Sequence, residues 1–192
     1  TDYDKIESMM EKYVELKIHV MSTTLYPADA YALVLEEVGG ERKIPIIIGH
    51  LEAQAIKVMM VKYHPPRPLT HDLFVTFAQK LEAELRMVLI YKAKDGVFYS
   101  YLYFEKEGEE IKIDARTSDA IALALRFNCP IYTTEEILES EHLHDLGEGK
   151  FSVPISSVSL QMLEEALQNA IEKEEYEQAS QLRDEIRRRK EE

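Results

Sequence analysis

Cys129 is the only cysteine in this 192-residue sequence. A lone thiol excludes an internal disulfide framework and a cysteine-rich zinc site, and it fits a reducing compartment, most simply the cytoplasm. No apolar run approaches the ~20 residues that a membrane span needs. No basic segment leads into an apolar stretch, so neither a membrane contact nor a secretory signal is expected. Positive charge is also scarce: 23 Lys and Arg stand against 36 Asp and Glu, a net charge of −13. That argues against a broad basic face tracking a phosphate backbone, which needs local basic surface. A small basic pocket, or a metal bridging carboxylates to phosphate, stays open.

What is present suffices for a folded body, since 45% of residues are hydrophobic and 31% charged. The length allows one full domain and a remainder too small for a second ordinary core. Residues 1–13 read as a short amphipathic helix or a loose terminus. Val14, Leu16, Ile18 and Val20 alternate as a half-buried strand, Ala30 to Val38 and Arg42 to Ile48 give two more around Gly39-Gly40, and the isoleucines of the third predict burial on both faces. Helical spacing follows in Leu51, Ala55, Val58 and Met59, and it ends at the prolines of residues 65–68. A second helix is expected over Leu73 to Leu85, with Phe74, Phe77 and Leu81 as its packed face. Asp95-Gly96 marks a hairpin, Glu109 to Ala115 a strand, Thr117-Ser118-Asp119 a helix start, and Ile131-Tyr132 a short buried strand. Strands in runs with helices between them predict an α+β fold, a mostly antiparallel or mixed sheet with packed helices.

The chain divides into an N-terminal segment (1–13), a main domain (14–143), a polar linker (144–157) and a tail (158–192) with no Gly or Pro. In the tail, Leu163, Leu167 and Ile171 form one apolar stripe, and Tyr176, Ala179, Leu182 and Ile186 form another. Periodicity alone leaves open one long helix or a hairpin turning near Lys173 to Glu175. About 35 residues cannot bury a core by themselves, so the stripes must cover a partner, a second copy or the main domain. Leu163-Glu164-Glu165-Ala166-Leu167, Tyr176-Glu177-Gln178-Ala179 and Leu182-Arg183-Asp184-Glu185-Ile186 resemble the UVR motif. That resemblance implies an α-helical hairpin used for protein pairing, with the seven stripe residues as its partner-binding set.

Three junctions concentrate polar residues: Gly49-His50-Leu51-Glu52, Arg67-Pro68-Leu69-Thr70-His71-Asp72 and Asp114-Ala115-Arg116-Thr117-Ser118-Asp119. Strand-to-helix junctions bring backbone N–H groups and side chains onto ligands. Glu52, Asp72, Asp114 and Asp119 offer oxygen ligands for Mg²⁺ or Mn²⁺. His71 can move a proton near neutral pH, with Asp72, Asp114 and Asp119 as its catalytic companions. Arg67 and Arg116, with Thr70 and Ser118, are the candidate phosphate binders. The plainer alternative is that Thr70, Asp72, Ser118 and Asp119 only cap helices, and that the arginines pair with aspartates to hold loops. His50, His64, His142 and His144 read as surface or loop residues. Tyr99, Tyr101 and Tyr103 share a strand face, which is either a core or interface face or a platform for nucleobases.

Ile44-Pro45-Ile46-Ile47-Ile48-Gly49, Arg67-Pro68-Leu69-Thr70-His71-Asp72-Leu73 and Ile113-Asp114-Ala115-Arg116-Thr117-Ser118-Asp119-Ala120 are similar to the motifs of the bifunctional nuclease domain family, with Thr117 where proline is expected. The resemblance implies metal-dependent cleavage of DNA or RNA in a bacterial or plant protein, and a UVR tail after this domain fits the bacterial members. The expected function is therefore a cytoplasmic nuclease and homo-oligomer whose tail recruits a protein partner or second copy. The alternative is a non-enzymatic adaptor or regulatory oligomer in which the tail does the pairing.

Overall fold

The computed structural model describes residues 2–23, 30–143 and 157–191. The expected linker falls almost wholly outside the described residues, as does His144. Strands β1 (Val14–Thr23), β2 (Ala30–Glu37) and β3 (Lys43–Gly49) form one antiparallel meander. Strands β4 (Glu84–Lys94), β5 (Val97–Lys106) and β6 (Glu109–Arg116) form another. The three-residue β7 (Ile131–Thr133) joins them, antiparallel to β1 and parallel to β4. The result is one mixed sheet in the order β3-β2-β1-β7-β4-β5-β6, with β3 and β6 at its edges. The α+β expectation is met.

Alternation along the strands serves one core on one face of the sheet and two smaller clusters on the other. Leu33, Leu35, Ile44, Ile46, Ile48, Val88 and Ile90 face helices α2 (His50–Met60), α3 (Thr70–Lys80), α4 (Thr117–Phe127) and α5 (Glu135–Glu141). On the other face, Ile6 of α1 (Asp2–Met10) packs on Met87, Leu89 and Tyr103. Ala30, Ala32 and Ile47, on the same side, receive the tail. This explains why β3 is apolar on both faces. In β1 a register shift between Ile18 and Val20 breaks the expected alternation, leaving Val20 exposed and turning Met21 toward the core.

The tail is a hairpin of α6 (Leu160–Glu172) and α7 (Tyr176–Glu191), with Glu174 at positive φ in the turn. Leu163, Ala166, Ala170, Ala179, Leu182 and Ile186 are buried between the two helices and the sheet. The main domain itself therefore covers most of the stripes. At the hairpin tip Ile171 and Tyr176 stay exposed, and Leu167 is half-buried.

The tail is pinned at the β4–β5 turn. Arg189 donates to the carbonyls of Asp95 and Val158, and its Nε donates to Glu185 Oε1 over 2.7 Å. Beside it Gly96 has φ +74°, and a Cβ there would lie 2.5 Å from the backbone carbon of Val158. Gly96→Ala is thus expected to push the tail off the turn and to strain the backbone, lowering stability by about 1–3 kcal/mol. A thermal melt and the trypsin cleavage rate in α7 check this; unchanged values on both would contradict it.

Helix α3 departs most from expectation. It begins at Thr70 rather than Leu73, because the backbone N–H of Leu69 donates to Asp72 Oδ2 over 2.8 Å and organises the first turn. It stops at Lys80 rather than Leu85, Glu82 adopting a positive φ before β4. The face expected to pack is largely outside: Phe77 is 62% exposed, Phe74 and Leu81 are exposed as well, and Leu73 beside them is also 62% exposed. Ala78 is the fully buried residue of this helix.

Candidate functional site

Glycine at the end of β3, the proline-stiffened loop before α3 and the end of β6 each deliver an extended residue into a helix. Gly49, Leu69 and Arg116 hold the three positions just before α2, α3 and α4. The N-termini of these helices border one cleft of about 1020 Å³, so their partial positive charges face a common space. Glu52, Thr70, His71, Arg116 and Asp119 line it over an apolar floor that includes Leu102 and Leu123.

The charged groups there are joined in series. His71 Nε2 lies 2.9 Å from Asp119 Oδ1. Asp119 Oδ2 accepts from Arg116 Nε at 2.8 Å, and Arg116 Nη1 donates to Glu52 Oε1 at 2.9 Å. The His71 contact, then Arg116, holds the Asp119 carboxyl down to about 2 against the opposing effect of burial. The Arg116 guanidinium is pushed above its ordinary value, first by Asp119 and then by Glu52. With Asp119 ionised, His71 Nε2 carries the proton it donates. In the neutral ring Nδ1 is then the acceptor, and it has no partner among the described residues.

Other candidates are placed elsewhere. Asp72 turns away from the cleft: Arg126 Nε donates to its Oδ1 over 2.8 Å. Burial works to raise the Asp72 carboxyl, but Arg126 and the Leu69 N–H hold it below the usual range. Asp114 borders the cleft, yet its Oδ1 accepts a long 3.4 Å bond from Tyr91, because strand alternation aims it at the tyrosine face. Ser118 is buried and does not line the cleft. Arg67 is exposed on the proline loop outside the lining. The tyrosine face lies against α1: Tyr103 is buried, Tyr91 and Tyr101 stack at 3.9 Å, and Lys112 Nζ sits 3.8 Å from the Tyr101 ring centre.

The four carboxylates proposed as metal ligands do not converge. Among the described residues no group of three or more His, Cys, Asp or Glu is arranged to hold a metal ion. Glu52 and Asp119 are bonded to Arg116, Asp72 to Arg126, and Asp114 to Tyr91. As arranged, these donors do not fit a resident ion.

Arg126 is the residue that sequence reasoning missed. Its side chain is 4% exposed, and Nη1 donates to the carbonyls of Ala55 and Ala122. It thereby ties α2, α3 and α4 together behind the cleft. A single charge inside the apolar run from Ala120 to Phe127 was the available signal, since a long cation there must find partners.

The family described as "Bifunctional nuclease domain" matches residues 33–145, and the "UvrB/uvrC motif" matches residues 158–192. The chain is 42% identical over 112 residues to "Uncharacterized protein Rv1829" of Mycobacterium tuberculosis, covering 58% of this chain and 66% of that protein. It is 24% identical over 183 residues to "Bifunctional nuclease 1" of Arabidopsis thaliana, covering 83% of this chain and 56% of that one. "Bifunctional nuclease 1" of Oryza sativa subsp. japonica is 29% identical over 114 residues, 57% of this chain and 34% of the relative. The matched lengths span at most about two thirds of these relatives.

Proposed function

This chain belongs to the bifunctional nuclease domain family, and from that membership we propose that its cleft hydrolyses phosphodiester bonds of RNA or DNA. The series His71–Asp119–Arg116, opening on a space bordered by three helix N-termini, carries the reading. Asp119 fixes the histidine tautomer so that Nδ1 takes the proton from the attacking oxygen as it bonds to phosphorus, while the opposite P–O bond breaks and the departing oxygen takes a proton from water. The exposed Arg116 and the helix N-termini balance the charge that grows on the phosphate. Thr70 on the cleft wall and Arg67 on the neighbouring loop meet the phosphates on either side.

No step is routed through a metal ion, because Glu52, Asp72 and Asp119 are already engaged by arginines and Asp114 by the Tyr91 hydroxyl. RNA carries its own nucleophile in the 2′-hydroxyl and needs chiefly proton transfer and charge balance. The purified chain is therefore expected to cleave RNA in EDTA. Complete loss of RNA cleavage in EDTA, restored by Mg²⁺ or Mn²⁺, would mean that an ion takes Glu52 and Asp119 from Arg116, and would overturn this route.

The adaptor reading is favoured by one observation, the exposed Ile171 and Tyr176 at the tip of the tail. We assign a protein partner to this tip and not to the buried stripe. The two readings are compatible, since tip and cleft share no residue.

A further inference from the structure

Lys92, Tyr99 and Arg116 form a row across the neighbouring strands β4, β5 and β6. Lys92 stands opposite Tyr99 and Tyr99 opposite Arg116, so the three share one face of the sheet. Simple alternation along β4 would not produce this. Tyr91 stacks on Tyr101 while Lys92, the next residue, reaches the ring of Tyr99, so consecutive residues of one strand serve the same face. The register shift between Ile90 and Lys92 permits it, since a bulge adds a residue and re-aims the side chains that follow. Lys94, opposite Val97, then faces the same way. Lys92, Lys94 and Arg116 are all exposed, and neither lysine has an ion-pair partner among the described residues.

The tyrosines of this face are not equivalent. Tyr103 is buried in the cluster under α1. The Tyr101 ring is occupied by the stacked ring of Tyr91 at 3.9 Å and by Lys112 Nζ at 3.8 Å from its centre. Tyr99 is half-buried and lies outside that cluster, and Tyr91 meets it only at a tilt, with ring centres 6.3 Å apart. What sits over the Tyr99 ring is the ammonium of Lys92, 4.9 Å from its centre. An exposed cation–π contact of this kind is weak, and a phosphate is a stronger partner for the ammonium. Tyr99 is thus the ring of this face that a planar group can reach.

The row starts in the cleft. Arg116 bonds Asp119 and Glu52 there, and the Tyr99 backbone is one strand spacing away, about 5 Å, with Lys92 one spacing further. A base on the Tyr99 ring would therefore have a cation on each side, one for the phosphate before it and one for the phosphate after it. Asp114 is the acid on this face beside the row, and its carboxylate accepts from the Tyr91 hydroxyl. A duplex cannot use such a ring, because its bases already stack on one another, whereas an unpaired nucleotide can.

We propose that a single-stranded nucleic acid seated in the cleft lays a flanking nucleotide on Tyr99, with the phosphates on its two sides held by Arg116 and Lys92. The occupant is a nucleic acid strand because the row alternates cation, ring and cation and is continuous with the cleft through Arg116. The inference rests on the cleft's being a nucleic-acid site, and it adds the kind of strand and a second place where that strand is held.

Fluorescence anisotropy of the full chain with labelled 2′-O-methyl oligouridylates, two and eight nucleotides long, tests it, since the blocked 2′-hydroxyl lets binding be read without cleavage. Wild type is expected to bind the longer strand tighter than the shorter on the order of tenfold to a hundredfold, the range that stacking of a base supplies. Tyr99→Leu, checked for folding by circular dichroism, is expected to lose most of that gain. Tyr99→Phe is expected to keep it, because the ring and not the hydroxyl takes the base. Lys92→Gln is expected to weaken the longer strand and to lower the slope of log affinity against log salt by about 0.7, the share of one phosphate on a single strand. Equal affinity for the two lengths, a Tyr99→Leu variant that keeps the gain, or a duplex that competes as well as the single strand would each overturn the proposal. Unmodified RNA of the longer length, bound with this pattern but left uncut, would remove the hydrolytic reading of the cleft and keep the row as a strand-binding surface.

Discussion

His71→Ala is expected to lower cleavage of RNA by the full chain on the order of 10²–10⁴-fold, the range that a positioned proton-transfer group supplies. The fold should tolerate the change. The His71 side chain is 19% exposed, and after its loss Asp119 keeps the 2.8 Å bond to Arg116. Asp119→Asn should show a comparable loss, because an amide neither enforces the tautomer nor stabilises the charged imidazole. Arg116→Ala should act differently. It removes the positive charge facing the phosphate and leaves Glu52 and Asp119 facing the substrate without their cation. Weaker substrate binding is then expected along with a lower rate, and Arg116→Lys should recover little, since one ammonium cannot span both carboxylates. Steady-state kinetics on a short oligonucleotide, with melts of each variant, separate these outcomes. Undiminished cleavage by His71→Ala would place the activity in a contaminant or in a different site.

Arg126→Met should produce the largest loss of stability, about 3–5 kcal/mol. Removing one partner of a buried ion pair strands the other, and here it also leaves the carbonyls of Ala55 and Ala122 without their donor. The buried Arg126 Nη2, which has no partner among the described residues, shows that the guanidinium is kept at some cost. The second variant Arg126→Met/Asp72→Asn should recover part of the loss, because the stranded charge is removed as well. The pH dependence has a definite sign. The Asp72 carboxyl is held below its ordinary value in the folded chain, so its contribution is complete above the unfolded value near ~3.9 and fades as pH falls below it. The difference in melting temperature between wild type and Arg126→Met should therefore narrow in acid. A gap that is constant from neutral to acid pH would mean that the arginine acts through packing and not through its charge.

The consequences for function run through the same residue. Arg126 holds α2, α3 and α4 from behind while Arg116 links Glu52 of α2 to Asp119 of α4 in front. The cleft is thus clamped on two sides by arginines. A chain with an acidic excess can still present local positive charge if its few cations are fixed where helix N-termini add to them.

The amino-acid order by itself determined the strands, most of the helices and their sequence, because alternation, helical spacing, prolines and the Asp95-Gly96 turn are local signals; it left the N-terminal segment and the hairpin of the tail open and misplaced the ends of α3. It also placed the three polar junctions and the tail, and their motifs carried the family. It did not determine which carboxylates share a space. Asp72, Asp114, Asp119 and Glu52 look alike along the chain, and only the tertiary structure assigned Asp72 to Arg126, Asp114 to the tyrosine face, and Asp119 and Glu52 to the cleft. The same holds for α3. Its spacing reveals an apolar stripe, but whether that stripe meets the core or solvent depends on what Phe104 and the edge strand leave uncovered. Local order is written in neighbours three or four residues apart, whereas a charge finds its partner, and a helix its floor, only among residues dozens of positions away.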